Sequence, residues 1–393
     1  MNNRRRVFLS ITLLVLVAIG ARAQSLIYAI SFRETAASRQ AHPQPPFFRA
    51  TAAEKLLAVR AHARTEILAV SAINHQSTVL FSDQGPSFEI FPEGDPSMVV
   101  RAGKLYAIGV EREWRTGPSP GVFASDPAFY EISLDGSNKF RKLAAVPGAP
   151  ASGHLFIHSS GSKLGYATYV NDKYMIFIYD VASGRMLQNW NANGFFRKYC
   201  TDCLDQRRGW LNDDRLFFNL QLGDDDSISE TSHNVPGTYL SSEDGKDLGS
   251  MPPKTGRAAE VGYARDESMA PTLLGTGSNG NLYFVDFLRP TGPRPKKSPS
   301  STTFLVIADP RSGTQRQISL EGRAGKSPFQ LWFSATSVAF VERRLIEYRE
   351  ENHVWRKSLE TGAEEELLTL PANVPGSTEP DKTLYVIGWM EAR

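Results

Sequence analysis

A short polar turn centred on glycine recurs six times along the chain, and each turn joins two runs rich in aromatic and β-branched residues. In the clearest copies, residues 130–136 run into residues 140–143, and residues 177–184 run into Met186 and Leu187. A tight hairpin requires positive φ at a turn residue, which glycine adopts without a steric penalty. The sequence therefore predicts repeated β-hairpins, with turn glycines Gly94, Gly136, Gly184, Gly245, Gly313 and Gly362.

The spacing of these turns predicts a β-propeller. Successive turn glycines are roughly 40 to 70 residues apart, which brackets the period of four-stranded propeller blades and differs from that of helical repeats. We take each glycine turn as the hairpin between the third and fourth strands of a blade. A short apolar second strand then lies before it in five repeats, at residues 104–110, 164–170, 215–220, 281–286 and 337–341. We therefore expect an all-β fold.

The two ends of the chain predict how the ring closes. Residues 383–389 form a strand-like run after the sixth hairpin, and residues 25–31 form another near the start. Pairing these runs would close the ring and protect strand edges that otherwise template aggregation. Six internal hairpins and one blade shared by the two ends predict seven four-stranded blades. Six blades with an irregular N-terminal segment are the alternative.

The turn sequences also resemble those of a known group of proteins. Residues 130–136 follow the pattern Tyr-x-Ile-x-Leu-Asp-Gly, residues 178–184 follow Ile-Tyr-Asp-Val-x-Ser-Gly, and residues 210–218 look like the entry to a blade. These features are similar to those of the TolB-like and WD-repeat-like β-propellers of exported bacterial proteins. The repeat at residues 92–94 departs from the pattern, since Pro-Glu-Gly replaces Asp-Gly there. The resemblance implies a propeller and leaves the ligand unnamed.

Residues 1–23 have the pattern of a secretory signal peptide. Arg4, Arg5 and Arg6 precede the apolar residues 7–20, and the small-residue site Ala-Arg-Ala follows at residues 21–23. The apolar run is short for a membrane anchor. The arginine pair also resembles the twin-arginine export pattern, which is the alternative route. We expect residues 24–393 to form a single propeller domain in the bacterial periplasm or outside the cell, with no membrane span.

The charge balance argues against two classes of partner. The leader carries four arginines and no acidic residue, so its removal changes the formal net charge from +2 to −2. A chain this close to neutral lacks the excess of positive charge that general binding to nucleic acids or to anionic membranes requires. We therefore expect a protein, peptide or glycan partner, and either a monomer or a subunit of a complex.

The only two cysteines are close together in sequence. Cys200 and Cys203 are separated by two residues, and an oxidising compartment would favour a disulfide bond between them. A free or redox-active pair and half of a metal site are the alternatives. Covalent haem attachment would require histidine after the second cysteine, where the chain has Leu204.

Enlarged loops predict where a partner would bind. The loops between second and third strands, and those between blades, would emerge on the face opposite the glycine hairpins. Long loops on a rigid scaffold often carry binding residues. The acidic run at residues 224–230 could hold Ca²⁺, although it does not match an EF-hand loop. The candidate binding residues on this face are Trp114, Arg115, Asp224, Asp225, Asp226, Glu230, Arg289, Arg294, Lys296 and Lys297.

The sequence gives little support for a catalytic function. It has no Gly-x-Ser-x-Gly nucleophile elbow and no phosphate-binding loop in strand–turn–helix context. His154 and His158, on a predicted first strand, are weak candidates for metal ligands or acid–base groups. We expect no cofactor other than a divalent cation. The predicted function is a non-catalytic binding or scaffold module; a metal-dependent lactonase-like hydrolase, a sugar-active lyase and a structural subunit of an envelope complex are the alternatives.

Overall fold

The strands of the chain form a ring of antiparallel sheets. The computed structural model describes residues 24–33, 35–41, 64–83, 88–91, 97–115, 121–148, 153–200, 203–222, 235–252, 263–265, 271–277, 279–290, 302–320, 330–346 and 349–390. Within these ranges the strands form six sheets, each of which is a blade built around four strands. No helix of the described residues is both long and apolar enough to cross a membrane.

The first three blades take up the N-terminal half of the chain and its last strand. Blade 1 contains β27 (Asp381–Met390), β1 (Ser25–Arg33), β2 (Arg64–Ser71) and β3 (Ser77–Ser82). Blade 2 contains β4 (Phe88–Ile90), β5 (Met98–Arg101), β6 (Lys104–Arg115), β7 (Gly121–Ala124), β8 (Ala128–Ser133) and β9 (Phe140–Ala145). Blade 3 contains β10 (His154–Ile157), β11 (Lys163–Val170), β12 (Lys173–Asp180) and β13 (Met186–Asn191).

The remaining blades follow in chain order. Blade 4 contains β14 (Cys203–Trp210), β15 (Leu216–Leu222), β16 (Gly237–Ser241) and β17 (Asp247–Ser250). Blade 5 contains β18 (Tyr263–Arg265), β19 (Thr272–Thr276), β20 (Leu282–Pro290), β21 (Thr302–Ala308) and β22 (Gln315–Ser319). Blade 6 contains β23 (Leu331–Phe333), β24 (Ser337–Ile346), β25 (Arg349–Ser358) and β26 (Glu364–Leu370). The short helices α1 (Ala36–Ala41) and α2 (Asn193–Tyr199) lie in connections.

The hydrophobic core lies between neighbouring blades, so the second strand of a blade is buried on both faces. In β6, Leu105 and Ala107 pack into the core shared with blade 1, whereas Tyr106 and Ile108 pack into the core shared with blade 3. Alternate residues of a strand point to opposite faces, and here both faces are apolar. This burial explains why the predicted second strands are nearly continuous apolar runs, and all five of them are second strands in the structure.

The N- and C-terminal strands close the ring, as the sequence predicts. Strand β1 pairs with β27 from Ser25–Met390 to Arg33–Asp381. Innermost strands of neighbouring blades contact each other in the order β23, β27, β5, β10, β14 and β19. The indole Nε1 of Trp389 also donates a hydrogen bond to the backbone oxygen of Trp332, at 2.8 Å, which ties blade 1 to blade 6.

The prediction of seven blades is wrong, because the described strands form six. Gly94 lies outside the described residues, but the strands before and after it, β4 and β5, both pair with β6. Strands β4 and β5 therefore both occupy the first-strand position of blade 2, and Gly94 does not lie between a third and a fourth strand. The hairpin of blade 1, between β2 and β3, contains no glycine, and His75 adopts the positive φ of 56° there.

The two faces of the ring differ in the connections they carry. We call the face with the turns between first and second strands and between third and fourth strands the hairpin face. We call the opposite face, with the connections between second and third strands and between blades, the loop face. The hairpin glycines Gly136, Gly184, Gly245, Gly313 and Gly362 all have positive φ, between 69° and 84°. Five of the six predicted glycine turns are thus turns between third and fourth strands.

Two of these turn glycines also meet the neighbouring blade. A Cβ atom at Gly184 would collide with the backbone oxygen of Leu143 in β9 of blade 2. A Cβ atom at Gly245 would lie 2.6 Å from the indole of Trp190 in blade 3. Around Gly136, Gly313 and Gly362 no described atom lies within 4 Å of such a Cβ. At residues 184 and 245, glycine is therefore needed both for the positive φ of the turn and for the close contact between blades.

Candidate functional site

A polar cavity of about 320 Å³ opens between blades 5 and 6 on the hairpin face. Its walls come from the turn between β19 and β20, the hairpin between β21 and β22, and the turn between β23 and β24. The lining residues are Asn279, Asn281, Tyr283, Ile307, Asp309, Thr314, Gln315, Arg316 and Ala335.

Strand register brings most of these side chains to one side of blade 5. Tyr283 pairs with Ile307, and Ile307 pairs with Arg316. Residues that pair directly across a sheet point to the same face, and so do residues two positions apart in one strand. Asn281 and Asp309 therefore share this face with the three paired residues. The face is the one that blade 5 turns towards blade 6.

The floor of the cavity is rigid and apolar. Tyr283 is fully buried, and its ring stacks on that of Phe333 with centroids 4.3 Å apart and an interplanar angle of 19°. A Cβ atom at Gly277 would lie 2.7 Å from the Tyr283 ring. Both sides of the tyrosine ring are thus covered by protein. The ring supports the cavity and offers no free face to a ligand.

The hairpin wall is held by a carboxylate. Asp309 accepts hydrogen bonds from the backbone N–H of Arg311 and the hydroxyl of Ser312, both at 2.8 Å. These bonds lower the pKa of Asp309, so the carboxylate stays charged at neutral pH. The Ser312 hydroxyl also lies 2.8 Å from the hydroxyl of Thr314. The charge of Asp309 thus stabilises the turn that forms one wall.

Two side chains on this face have no hydrogen-bond or ion-pair partner among the described residues. They are the amide of Asn281 and the guanidinium of Arg316. Asn281 takes part in the turn through its backbone, whose N–H donates to the side chain of Asn279 at 3.1 Å. Amides donate and accept, whereas a guanidinium only donates. The cavity can therefore offer donors and acceptors to a polar ligand, together with one positive charge.

The predicted loop-face residues do not form a site within the described part of the chain. Arg115 pairs with Glu113 and lies over the ring of Phe123, with its guanidinium carbon 4.9 Å from the centroid. Arg289 lies on β20, and Trp114 lies on β6, but the structure does not describe their side chains. The other predicted residues lie outside the described ranges, and so does the acidic run proposed for Ca²⁺: Asp224, Asp225, Asp226, Glu230, Arg294, Lys296 and Lys297.

The cysteine pair lies beside the loop face, after α2. Cys200 is 1% exposed and is disulfide-bonded. Cys203, the only other cysteine of the sequence, begins β14. Cys200 also closes the last turn of α2, since its N–H donates to the oxygen of Phe196 at 2.9 Å. The bond therefore fixes the connection from blade 3 to blade 4.

The two candidate histidines lie at opposite ends of β10 and have different neighbours. Burial and the positive charge of Arg208 lower the pKa of His154 to about 3, so this ring is neutral at physiological pH. Arg208 itself forms a buried ion pair with Asp205 at 2.9 Å. At the other end, His158 faces Asp214 at 3.3 Å and Ser160 at 2.7 Å. The two rings therefore do not share a metal-binding position.

No metal centre is apparent within the described ranges. They contain no group of three or more His, Cys, Asp and Glu side chains that could hold a metal ion. His353 lies between Glu351 and Glu366, each 2.7 Å from one of its ring nitrogens. Both nitrogens are thus engaged by carboxylates. His233, another histidine of the sequence, lies outside the described residues.

The cavity is on the face opposite the one that the sequence suggested. Its residues belong to ordinary turn sequences, such as residues 277–281 and 309–314, which turn chemistry alone explains. One signal was available: Arg316 lies at an outer, exposed position of a fourth strand without a nearby acidic residue in sequence. The cavity itself depends on Ala335 of the next blade, and no sequence pattern reveals that contact.

Comparison with known proteins finds only distant similarity to solved structures. No family model and no curated protein match the sequence. Among solved structures, the chain is similar to TolB from Acinetobacter baumannii, with 13% identity and a TM-score of 0.42; the match covers 93% of this chain and 66% of that one, just under two thirds. It is also similar to a TolB structure from Agrobacterium tumefaciens, with 13% identity, a TM-score of 0.38 and coverage of 92% and 99%.

A nidogen/laminin complex is a third similar structure, with 12% identity, a TM-score of 0.39 and coverage of 93% and 98%. Lyases are among the other similar structures, including an oligogalacturonate lyase from Vibrio parahaemolyticus with a TM-score of 0.35. The similar structures thus include TolB proteins, the group that the turn sequences resemble. They include enzymes as well, so they do not decide between binding and catalysis.

Proposed function

We propose that this propeller is a non-catalytic binding module that holds a peptide segment of a partner protein in the cavity between blades 5 and 6. The observation that carries the proposal is the convergence of two unengaged side chains, Asn281 and Arg316, on one cavity whose floor is formed by the buried Tyr283. We further propose that the protein acts outside the cytoplasm, because residues 1–23 have the pattern of a signal peptide.

The chemistry of the lining favours a peptide over a glycan. The side-chain amide of Asn281 can both donate to and accept from the N–H and C=O groups of an extended peptide. Sugars are commonly bound against an open aromatic face, and the ring of Tyr283 is covered by Phe333. Arg316 adds a donor fork that suits a carboxylate or a peptide carbonyl.

The same lining favours binding over catalysis. A general acid or base must be free to exchange a proton, and a nucleophile requires an adjacent base. The one acidic group of the lining, Asp309, is held by the hairpin through Arg311 and Ser312. The hydroxyl of Thr314 is beside Ser312 and no histidine lines the cavity.

Arg316→Ala tests the proposal. The charge-assisted bonds of a guanidinium are worth roughly 1.5 to 3 kcal/mol each, so we expect about a 10- to 100-fold loss of affinity for the bound peptide. Peptides would be selected from a displayed random library against the immobilised wild-type protein. Their dissociation constants would then be measured by calorimetry for the wild type and the variant.

Arg311→Ala is the matched control, because Arg311 is an exposed arginine of the same hairpin that does not line the cavity. It removes the same charge and is expected to leave the affinity within about twofold of the wild type, as surface substitutions usually do. An equal loss in both variants would point to general electrostatic attraction. Equal loss, or a library that yields no binding peptide, would refute the cavity as the binding site.

A further inference from the structure

The residue just before the first strand is anchored to a distant part of the chain. The side-chain oxygen of Gln24 accepts hydrogen bonds from the hydroxyls of Ser334 at 3.1 Å and Thr336 at 3.0 Å. Its backbone oxygen accepts a hydrogen bond from Ala72 at 3.0 Å. Ser334 and Thr336 belong to the turn between β23 and β24 in blade 6. Gln24 therefore links the start of blade 1 to blade 6 at the closure of the ring.

The sequence places a cleavage site immediately before this residue. The small-residue pattern at residues 21–23 predicts that the leader is cut after Ala23, which would make Gln24 the first residue of the mature chain. An N-terminal glutamine can cyclise. Its α-amine attacks the side-chain carbon Cδ, a lactam C–N bond forms, the bond from Cδ to Nε2 breaks, and ammonia leaves with that nitrogen. The reaction consumes no oxidant and no co-reactant.

We propose that the chain is cut after Ala23 and that Gln24 then cyclises to pyroglutamate, which becomes the N-terminal residue of the mature protein. The atoms that Gln24 uses in the fold fit this modification. The oxygen that binds Ser334 and Thr336 stays in the lactam as a carbonyl acceptor. The leaving nitrogen, Nε2, makes no hydrogen bond to a described residue. Cyclisation thus removes the side-chain atom that the described structure does not use.

Cyclisation also changes the charge at this end of the chain, because it converts the terminal amine into a neutral amide.

Mass spectrometry tests the proposal directly. The full chain, with its leader, would be expressed in an exporting bacterium, and the protein of the periplasmic fraction would be weighed intact. We expect the mass of residues 24–393 less one ammonia molecule, and an N-terminus that resists stepwise degradation until pyroglutamyl aminopeptidase is added to the denatured protein. An unmodified Gln24 would overturn cyclisation, and an N-terminus at another residue would overturn the cleavage site.

Two further samples separate cleavage from cyclisation. Gln24→Glu keeps the side-chain oxygen but must lose water to cyclise, a far slower reaction at neutral pH, so this variant is expected to have an open N-terminus. In the second sample, a specific protease site placed directly before Gln24 exposes the residue in vitro, and the mass is followed over time. Loss of ammonia here supports the proposal whatever the export route, and a stable free glutamine refutes it.

Discussion

At the scale of single residues, His154 should make the stability of the fold depend on pH. The histidine of the unfolded chain has a pKa near 6.5, whereas burial and Arg208 lower the pKa in the folded protein to about 3. As pH falls below 6.5, the unfolded chain binds a proton that the folded chain does not. The stabilisation present above pH 6.5 is therefore lost towards pH 3, at up to about 1.4 kcal/mol per pH unit from this residue.

His154→Gln is expected to flatten that dependence. Urea unfolding at pH 7.5, 6.5, 5.5 and 4.5 would give the free energy of unfolding of both proteins at each pH. The slopes are compared, since the substitution also changes packing by a constant amount at every pH. Parallel pH profiles for the wild type and the variant would contradict the buried, neutral state of this histidine.

The residue-level features were the hardest to predict. The sequence singled out His154, but not its neighbour: Arg208 is reached across the boundary between blades 3 and 4, and no local spacing reveals that. The cavity residues could not be predicted for the same reason, which is that their neighbours are distant in sequence. Arg316 lies beside Ile307 and Tyr283 only when three strands are paired in register. Charged loops such as residues 224–226 attract attention in a sequence because they are conspicuous, while the cavity is lined by ordinary turn residues.

At the scale of elements, the glycine hairpins should differ in their tolerance of a side chain. Gly184 and Gly313 have nearly equal φ values of 69° and 71° and occupy equivalent turns. Either one changed to alanine should cost about 1 kcal/mol or more through left-handed backbone strain. At residue 184 the new methyl group also meets the backbone of Leu143, which should cost roughly 1 to 3 kcal/mol more.

Chemical unfolding of Gly184→Ala and Gly313→Ala, side by side, measures the difference. Gly313→Ala is the control because it has the same backbone strain and no described atom near the added methyl group. Equal losses of stability would mean that the hairpin of blade 3 does not press on blade 2 as the structure indicates.

The elements themselves were largely predictable. Second strands are apolar on both faces because each is buried between two blades, so they are visible as continuous runs in the sequence. Hairpin turns are visible because positive φ selects glycine. The turn between β2 and β3 was not visible, since His75 takes the positive φ there. Gly94 was misleading, because the strands on either side of it both pair with β6.

At the scale of the whole molecule, the fold should depend on its last strand. In β27, Leu384, Val386 and Trp389 pack into the core between blades 6 and 1, and Tyr385 and Ile387 pack into the core between blades 1 and 2. A chain that ends at residue 380 would expose both cores and the edge of β1. We expect it to aggregate or to lose cooperative unfolding.

A synthetic peptide of residues 381–393 should restore the truncated protein by taking the place of β27. Size-exclusion chromatography and thermal unfolding, with and without the peptide, would show the recovery of a monomer with a single transition. A peptide of the same composition in scrambled order is the control. A truncated chain that is monomeric and melts at the wild-type temperature without any peptide would contradict the role of the strand.

The sequence predicted the propeller architecture correctly, but it did not predict the correct number of blades. The period of the turns and the two terminal strands were sufficient to predict a closed propeller. The number of blades depended on Gly94, and a single misassigned turn changes the count by one. Strands β4 and β5 pair with the same strand, β6, and this pairing shows that the number of blades is six. Such pairing can be seen only in the folded chain.

The pairing of β1 with β27 also sets an order of events in time. A ribosome makes β1 before β27, so the first blade has to wait for its innermost strand until the five other blades have been made. Contacts between such distant residues form late and slow the folding of a chain. During that interval the ring stands open, with one edge of β1 unpaired.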